Sequence, residues 1–239
     1  MKLLYAGVSH TGKVRRRNED AILMRASDKG ALFLVADGIG GKEYGELVSA
    51  MLRDSYARWW EERFLAHSIS FQNAVAELKG VLLQVNHEVV RRFGPFHAGS
   101  TLVLLFLCQG RCLFLSSGDS RIYRAQRFSL RQITVDDIYE NFREPTEHFE
   151  ETSRGKLVSA VGICETPEFS VRTDRLQKGD RFFLCSDGAY RCLSHQKLCR
   201  RIVWGRANPD RLLGEFSKEI EENGAADNYS MIYIQTKYL

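Results

Sequence analysis

The chain has 239 residues, of which 44% are hydrophobic and 11% aromatic, which is enough for a packed core. Its 34 Lys and Arg against 30 Asp and Glu give a net charge of +4, and outside residues 13–17 the charges are mixed, which argues against a protein that binds nucleic acid or a membrane surface. No apolar run approaches the roughly 20 residues that cross a bilayer, and polar residues follow the first seven too soon for a signal peptide, so we expect a cytoplasmic protein.

Short aliphatic and aromatic runs predict ten strands, and two longer regions predict helices. Apolar spacing predicts two amphipathic helices over residues 43–93, and a later helical region over 196–220 is split around Gly205. Strands interrupted by two helix pairs predict an α+β fold in which helices cover antiparallel sheets, rather than a parallel βαβ array. The predicted strands are 3–9, 20–25, 31–36, 101–108, 111–117, 121–125, 128–134, 168–174, 181–186 and 229–236.

Three further features concern organisation. Only four prolines and no Ser/Gly-rich tract occur, so we predict a single domain over residues 1–239. Residues 134–153 are polar, acidic and weakly periodic, which predicts a surface excursion that forms a flap over a site. The six cysteines include no CxxC pair, and several stand inside apolar runs, so buried reduced thiols are favoured over a structural zinc or a disulfide.

Acidic residues stand at the ends of apolar runs throughout the chain. They occur in Asn18-Glu19-Asp20, Asp37-Gly38, Asp187-Gly188 and Asp227-Asn228, and Asp119 lies between two predicted strands. Any single Asp-Gly is most simply a turn. A set of buried carboxylates, however, is costly unless a cation neutralises it.

The donor types indicate which cation would bind. Oxygen ligands suit hard ions such as Mg²⁺ or Mn²⁺, and the six histidines lack the spacing of zinc enzymes. A glycine after the aspartate lets the backbone approach an ion and offer its carbonyl oxygen. The pattern therefore favours a magnesium or manganese site.

Seven segments in order cover almost the whole chain: "GKVRRRNEDA" (12–21), "LVADGIGGKEYGELVS" (34–49), "GSTLVLLFL" (99–107), "SGDSRIYR" (117–124), "KLVSAVG" (156–162), "GDRFFLCSDGAY" (179–190) and "ADNYSMIYI" (226–234). Each is weak alone, but in this order they resemble the metal-dependent protein phosphatases of the PPM family, the type-2C Ser/Thr phosphatases, in their compact bacterial form. The resemblance implies a four-layer αββα sandwich, in which two antiparallel β-sheets are flanked by pairs of antiparallel helices, with a binuclear metal site at one end of the sheets.

The implied activity is that of a protein serine/threonine phosphatase that requires Mg²⁺ or Mn²⁺. It hydrolyses phosphoserine and phosphothreonine in proteins by attack of a metal-bridging hydroxide, without a covalent phosphoenzyme. Two ions are expected, and a third in some relatives. The implied partners are phosphoprotein substrates and, as functional opponent, a bacterial Ser/Thr kinase, with the phosphatase acting as a monomer.

The resemblance also assigns roles to metal ligands. Asp37 would bridge two ions, and the Gly38 carbonyl would join one of them. Asp187 and Asp227 would hold the other ion, and Glu19 would face the Gly38 side directly or through water. Asp20 would be an outer-shell residue that holds metal-bound water.

A phosphate group needs the forked donor that arginine supplies. Residue type cannot choose among Arg15, Arg16 and Arg17, but by resemblance the phosphate-binding arginine stands five residues before Asp20, which is Arg15. The run could equally be a solvated basic surface.

Asp119 stands in Gly-Asp-Ser-Arg and has two interpretations. It could anchor a hairpin turn with Arg121 as its salt-bridge partner. By resemblance it would instead bind a third, weaker ion together with Asp187. Ser120 has no accompanying histidine, which argues against a Ser-His-Asp triad.

Two positions depart from the family pattern. Ile39 stands where many eukaryotic members have a histidine proposed as general acid, so the leaving-group proton must come from water or another group, or is not needed. His10 is the nearest histidine in sequence, and we expect it to be an exposed polar residue. The segment after the strand ending at Thr134 lacks the family's Thr-x-Asp-His-Ser pattern.

Two other functions were weighed. A pseudophosphatase would use the same fold for binding, but inactive members should have lost some of these costly carboxylates, and all are present. A two-metal nuclease would have a similar carboxylate set, but the motif order and the weak basic character oppose it.

Overall fold

The structure, a computed structural model, describes residues 2–39, 44–142, 156–205 and 208–238. Its strands form two antiparallel sheets. Sheet A has the order β1-β11-β10-β7-β8, and sheet B has the order β2-β3-β5-β6-β9, with the short β4 paired to β3. The strands are β1 (Lys2–His10), β2 (Asp20–Ala26), β3 (Gly30–Ile39), β4 (Gly99–Ser100), β5 (Leu102–Cys108), β6 (Arg111–Ser117), β7 (Arg121–Gln126), β8 (Ser129–Gln132), β9 (Ser170–Arg175), β10 (Arg181–Cys185) and β11 (Tyr229–Tyr238).

All ten predicted strands are present, with ends that differ by a few residues, and both predicted helix pairs form. Three helices begin at side-chain caps of the expected type, since Ser70, Ser194 and Asn208 each accept a hydrogen bond from a first-turn N–H group. The helices are α1 (Tyr44–Trp59), followed by a π-helical turn (Trp60–Leu65), α2 (Phe71–Phe93), α3 (Tyr139–Phe142), α4 (Asp187–Tyr190), α5 (His195–Trp204) and α6 (Pro209–Glu222).

Strand β3 shows how the layers arise, because successive side chains of a strand point to opposite faces. Leu32 and Leu34 lie in a core shared with α1 and α2, while Phe33 and Val35 lie in a core between the two sheets. A third core joins sheet A to α5 and α6. The predicted four-layer αββα sandwich is confirmed.

The predicted surface excursion is wrong at its start. Thr134, Asp136 and Asp137 are buried, because each side chain has a partner in the sheet region. Asp136 pairs with Arg121, and Asp137 accepts a hydrogen bond from the N–H of Gly118 at 2.8 Å. Residues 143–153 of the proposed flap lie outside the described residues.

Two smaller expectations can be compared with the structure. Cys108, Cys112 and Cys185 are buried, as predicted, whereas Cys164, Cys192 and Cys199 are partly exposed. In the part of the chain that the structure describes, no helix combines the length and apolar character that a membrane crossing needs.

Candidate metal centre

A polar cavity of about 650 Å³ opens where the ends of both sheets meet. Sheet B contributes Asp37, near the end of β3, and Glu19, directly before β2. Sheet A contributes Asp119 before β7, Asp187 after β10 and Asp227 before β11. The residues that line it are Arg15, Glu19, Asp37, Gly38, Ile39, Thr101, Asp119, Lys156, Leu157, Asp187, Arg191, Asp227 and Asn228.

Asp37 is the most electrostatically strained of these carboxylates. Burial raises its pKa well above the usual value for aspartate, and the negative charges of Asp20, Asp187, Asp119 and Asp227 raise it further. Burial and like charges both disfavour an ionised carboxylate. A cation placed among these groups would relieve both costs.

Asp20 lies opposite Asp37 in the β2–β3 pairing. Its Oδ2 atom accepts a hydrogen bond from Ser186 Oγ at 2.8 Å, whereas its Oδ1 atom is buried and has no hydrogen-bond partner among the described residues. Burial raises the pKa of Asp20 to about 6. An unpaired buried oxygen in an acidic cluster fits a group that holds a bound water or ion.

The backbone around Asp37 is held on two sides. Its N–H donates to Thr101 Oγ1 at 3.1 Å, and its carbonyl accepts from the Thr101 N–H at 2.8 Å and from Ser100 Oγ at 3.0 Å. A side chain at Gly38 would meet the backbone of Gly45, on α1, at 2.4 Å. Gly38 is thus required by helix packing, besides the ion approach predicted from sequence.

Of the three candidate arginines, Arg15 is the one that lines the cavity. Its Nη2 atom donates to Asp227 Oδ2 at 2.8 Å, and this bond raises the pKa of Arg15 further. The side chain is half exposed. Arg15 therefore presents donors to the cavity that a phosphate group can reach.

Asp119 has a different partner from the one suggested by sequence. Arg121 pairs with Asp136, with its Nη2 atom 2.6 Å from Oδ2, and stacks on the Tyr190 ring. Asp119 instead lies 3.5 Å from Arg191 and accepts a hydrogen bond from the Tyr190 hydroxyl at 3.3 Å. The alternative in which Arg121 is the salt-bridge partner of Asp119 is wrong, because Arg121 pairs with Asp136 from the segment after β8.

Sequence reasoning missed several residues of the site. Asn228 accepts a hydrogen bond from the Glu19 N–H at 2.9 Å and donates to the carbonyls of Thr11 and Arg17. It therefore ties the loop that carries Arg15 to the start of β11. Its signal was its place directly after a candidate ligand. The other missed residues are Thr101, Lys156, Ser186 and Arg191.

Three other residues named from the sequence are described by the structure. His10 is exposed, as predicted, and its Nδ1 atom accepts the Gly12 N–H. Ile39 lines the cavity at the position of the absent histidine, and none of the described residues that line the cavity is a histidine. Ser120 is fully buried and bonded to Thr101 Oγ1 at 2.7 Å, so it is not placed as a nucleophile.

The donor set suits hard divalent cations, since it consists of carboxylate and carbonyl oxygens without thiol or imidazole. Within the described ranges, no three His, Cys, Asp or Glu side chains already surround one point at ligand distance. Two carboxylates are paired with arginines instead, Asp227 with Arg15 and Asp187 with Arg191 at 3.0 Å. A small movement of the exposed Arg15 side chain would free Asp227 for an ion, whereas Asp187 contacts Arg191 through its Oδ2 atom.

Residues 6–216 match the family model described as protein phosphatase 2C. The serine/threonine phosphatase stp of Listeria monocytogenes is 24% identical over 235 residues, which cover 94% of this chain and 92% of that protein.

Two solved structures share the fold. PppA of Pseudomonas aeruginosa, described as a key regulatory component of the type VI secretion system, superposes with a TM-score of 0.82 at 30% identity, over 98% of this chain and 97% of the other. The catalytic domain of PstP of Mycobacterium tuberculosis, solved in complex with two manganese ions, superposes with a TM-score of 0.80 at 23% identity, over 99% of both chains.

The match to the family model spans most of the chain, and the fold of these relatives agrees with the sandwich described above. The family predicted from the seven sequence segments is therefore confirmed, and this chain is a protein phosphatase of the type-2C family.

Proposed function

We propose that this protein is a protein serine/threonine phosphatase that binds two Mg²⁺ or Mn²⁺ ions in the cavity and hydrolyses phosphoserine and phosphothreonine in proteins. The observation that carries the proposal is the convergence of carboxylates from both sheets on one cavity, where burial and mutual repulsion raise the pKa of Asp37. The two manganese ions of the PstP complex support the number of ions.

The ligands we assign follow from position in the cavity. Asp37 and the Gly38 carbonyl lie on the sheet B side with Glu19, while Asp187 and Asp227 lie on the sheet A side. When bound, a pair of divalent cations lowers the pKa of bound water and stabilises the negative charge of a phosphoryl group in transfer.

The other side chains of the site position the substrate and bound water and neutralise the charge of the phosphate. Arg15 would exchange its bond to Asp227 for a forked bond to the substrate phosphate, since guanidinium binds phosphate through two parallel N–H donors. Asn228 would hold the loop that carries Arg15, and the backbone of Glu19, against the start of β11. Asp20 would hold a water through its unpaired Oδ1 atom.

Ile39 stands at the place of the imidazole, and among the residues that the structure describes no histidine lines the cavity. A serine or threonine alkoxide is a poor leaving group, so we propose that solvent water delivers this proton. The opposing kinase, the monomeric state and the cytoplasmic location stay predictions from the sequence.

The proposal is tested with purified protein and a phosphothreonine peptide. We expect phosphate release with added Mn²⁺, its loss when EDTA is added, and its return with fresh Mn²⁺. Asp187→Asn should lose most of the activity. Arg211→Ala is a matched control, because Arg211 is exposed and, among the described residues, pairs with Glu215 in α6 at 3.2 Å. It should keep full activity.

Full activity in EDTA would overturn the two-ion proposal. Binding of the phosphopeptide without turnover in Mg²⁺ or Mn²⁺ would identify a pseudophosphatase. Cleavage of DNA with no release of phosphate from the peptide would identify a nuclease.

A further inference from the structure

Arg191 is placed by the backbone at the edge of the metal centre. It follows α4 directly, and its N–H donates to the carbonyl of Asp187 at 3.0 Å. Four residues along a helical turn lie on the same face, so its side chain returns over Asp187. Its Nη2 atom lies 3.0 Å from Asp187 Oδ2 and 3.5 Å from Asp119 Oδ2.

The two carboxylates that Arg191 contacts come from different segments of sheet A. Asp119 precedes β7 and Asp187 follows β10, and these strands are paired neighbours. Asp119 is buried, while the guanidinium of Arg191 is more than half exposed. A single arginine therefore bridges two acids that would otherwise repel each other.

No other described cation does this for Asp119. Arg121 is nearby in sequence, but its guanidinium is already engaged by other residues. It forms a salt bridge with Asp136 and stacks on Tyr190, with its Cζ atom 3.6 Å from the ring centroid. Within the described residues, Arg191 is the one cationic side chain within 4 Å of Asp119. Tyr190 adds a neutral hydroxyl donor to Asp119 from the same short helix.

We propose that Arg191 takes the place that a third divalent cation would occupy between Asp119 and Asp187, so that the protein binds two ions and not three. The proposal rests on the two-ion site proposed above. It also replaces the sequence-based expectation that Asp119 binds a third ion. A guanidinium is charged at every pH at which the protein is folded, and here it is tethered by the backbone, so an ion entering between these acids must displace it.

The charge of Arg191 then offsets the repulsion between Asp119 and Asp187 at any concentration of free metal ion. A weak third ion would leave when the concentration of free metal falls, whereas a covalently attached cation stays. Arg191 also faces the cavity, so its remaining N–H donors are available to an anionic substrate.

The test counts bound ions rather than activity. Mn²⁺ binding is measured by equilibrium dialysis combined with the electron paramagnetic resonance signal of free Mn²⁺, at Mn²⁺ concentrations up to the millimolar range. We expect two ions per chain for the wild type and three for Arg191→Ala. Arg191→Glu, which adds a carboxylate, should bind the third ion at least about tenfold more tightly than Arg191→Ala, because ligand charge sets affinity at such sites.

Two further variants locate the added ion. Arg191→Ala combined with Asp119→Asn should return to two ions, and Arg200→Ala, an exposed arginine on α5, should bind two ions like the wild type. Circular dichroism and the thermal midpoint show that each variant is folded.

Three results would decide against the inference or its basis. A third ion bound by the wild type and lost in Asp119→Asn would overturn it, and so would two ions in both Arg191→Ala and Arg191→Glu. If the wild type binds fewer than two ions, the proposed function fails and the inference fails with it; two ions in the wild type with an unchanged count in the variants overturns the inference alone.

Discussion

Two groups of aspartate and arginine side chains, each drawn from both sheets, have opposite charge arrangements. At Arg124, in β7, each charge faces an opposite charge. The guanidinium is buried and donates to Asp180 at 2.5 Å, to Asp174 at 2.9 Å and to the carbonyl of Arg175 at 2.7 Å. This group joins β7 to β9 and to the residue directly before β10, and it does not line the cavity.

At the metal centre, like charges face each other. Asp20 lies opposite Asp37 in the strand pairing, and the cations that do approach, Arg15 and Arg191, are half or more exposed. The difference teaches that residue type alone does not separate a structural ion pair from a functional site. What separates them is the balance of charge inside the buried region, because an unbalanced cluster costs stability until a cation joins it.

Asp37→Asn should show the largest effect and should act in opposite directions on function and stability. We expect kcat to fall by at least about 1,000-fold, roughly 4 kcal/mol of transition-state stabilisation. In EDTA at pH 8 the free energy of unfolding should rise by about 0.5–2 kcal/mol, since one of several repelling carboxylates is removed. Phosphopeptide kinetics and urea unfolding measure the two.

A loss of stability in Asp37→Asn under these conditions would show that the cluster is already balanced in the metal-free protein. Ser100→Ala is a useful control: it removes a hydrogen bond to the Asp37 carbonyl but leaves every charge in place, so it should give no gain.

Arg124→Met should show the opposite behaviour. Removing one partner of a buried ion pair leaves Asp180 uncompensated, and we expect the free energy of unfolding to fall by about 3–5 kcal/mol. The activity of the molecules that remain folded should stay near that of the wild type. Urea unfolding and activity per folded molecule are the measurements.

The exposed pair of Lys218 and Glu222, 3.8 Å apart on α6, provides the matched control for Arg124. Lys218→Met should change stability by less than about 1 kcal/mol. Equal losses for the two variants would remove the distinction between buried and exposed pairs in this protein.

Arg15→Ala should show the smallest effect of the three. If Arg15 holds the phosphate in both ground and transition states, KM rises about 10- to 100-fold and kcat changes little. Steady-state kinetics on a phosphothreonine peptide test this. An unchanged KM in Arg15→Ala, with a raised KM in Arg16→Ala or Arg17→Ala, would show that the phosphate binds to another arginine of the run.

Much of the architecture could be predicted because it depends on local patterns. Successive apolar residues along β3 face two different cores, because side chains of a strand point alternately to its two faces. The spacing of apolar residues likewise predicts the helices. The candidate ligands could also be identified from the sequence, since Asp37-Gly38 and Asp187-Gly188 each end an apolar run. The two-residue β4 was too short to carry a pattern.

The rest could not be predicted because it depends on contacts between distant segments. Asp136 was assigned to a surface excursion, yet it is buried against Arg121. Arg191 stands four residues after Asp187, which the sequence does show, but its contact with Asp119 spans 72 residues and requires the β7–β10 pairing. Gly45 was not singled out, because its contact with Gly38 requires the exact docking of α1 on β3.

The position of β11 in sheet A has a consequence for the protein while it is being synthesised on the ribosome. Among the described strands β11 is the last in chain order, yet it lies between β1 and β10, and it brings Asp227 and Asn228 to the loop that carries Arg15. A nascent chain that ends before this strand contains Asp37 and Asp187 but lacks the strand that holds Asp227 and Asn228 beside them. We therefore expect hydrolysis only after β11 has been synthesised and has paired with β1 and β10.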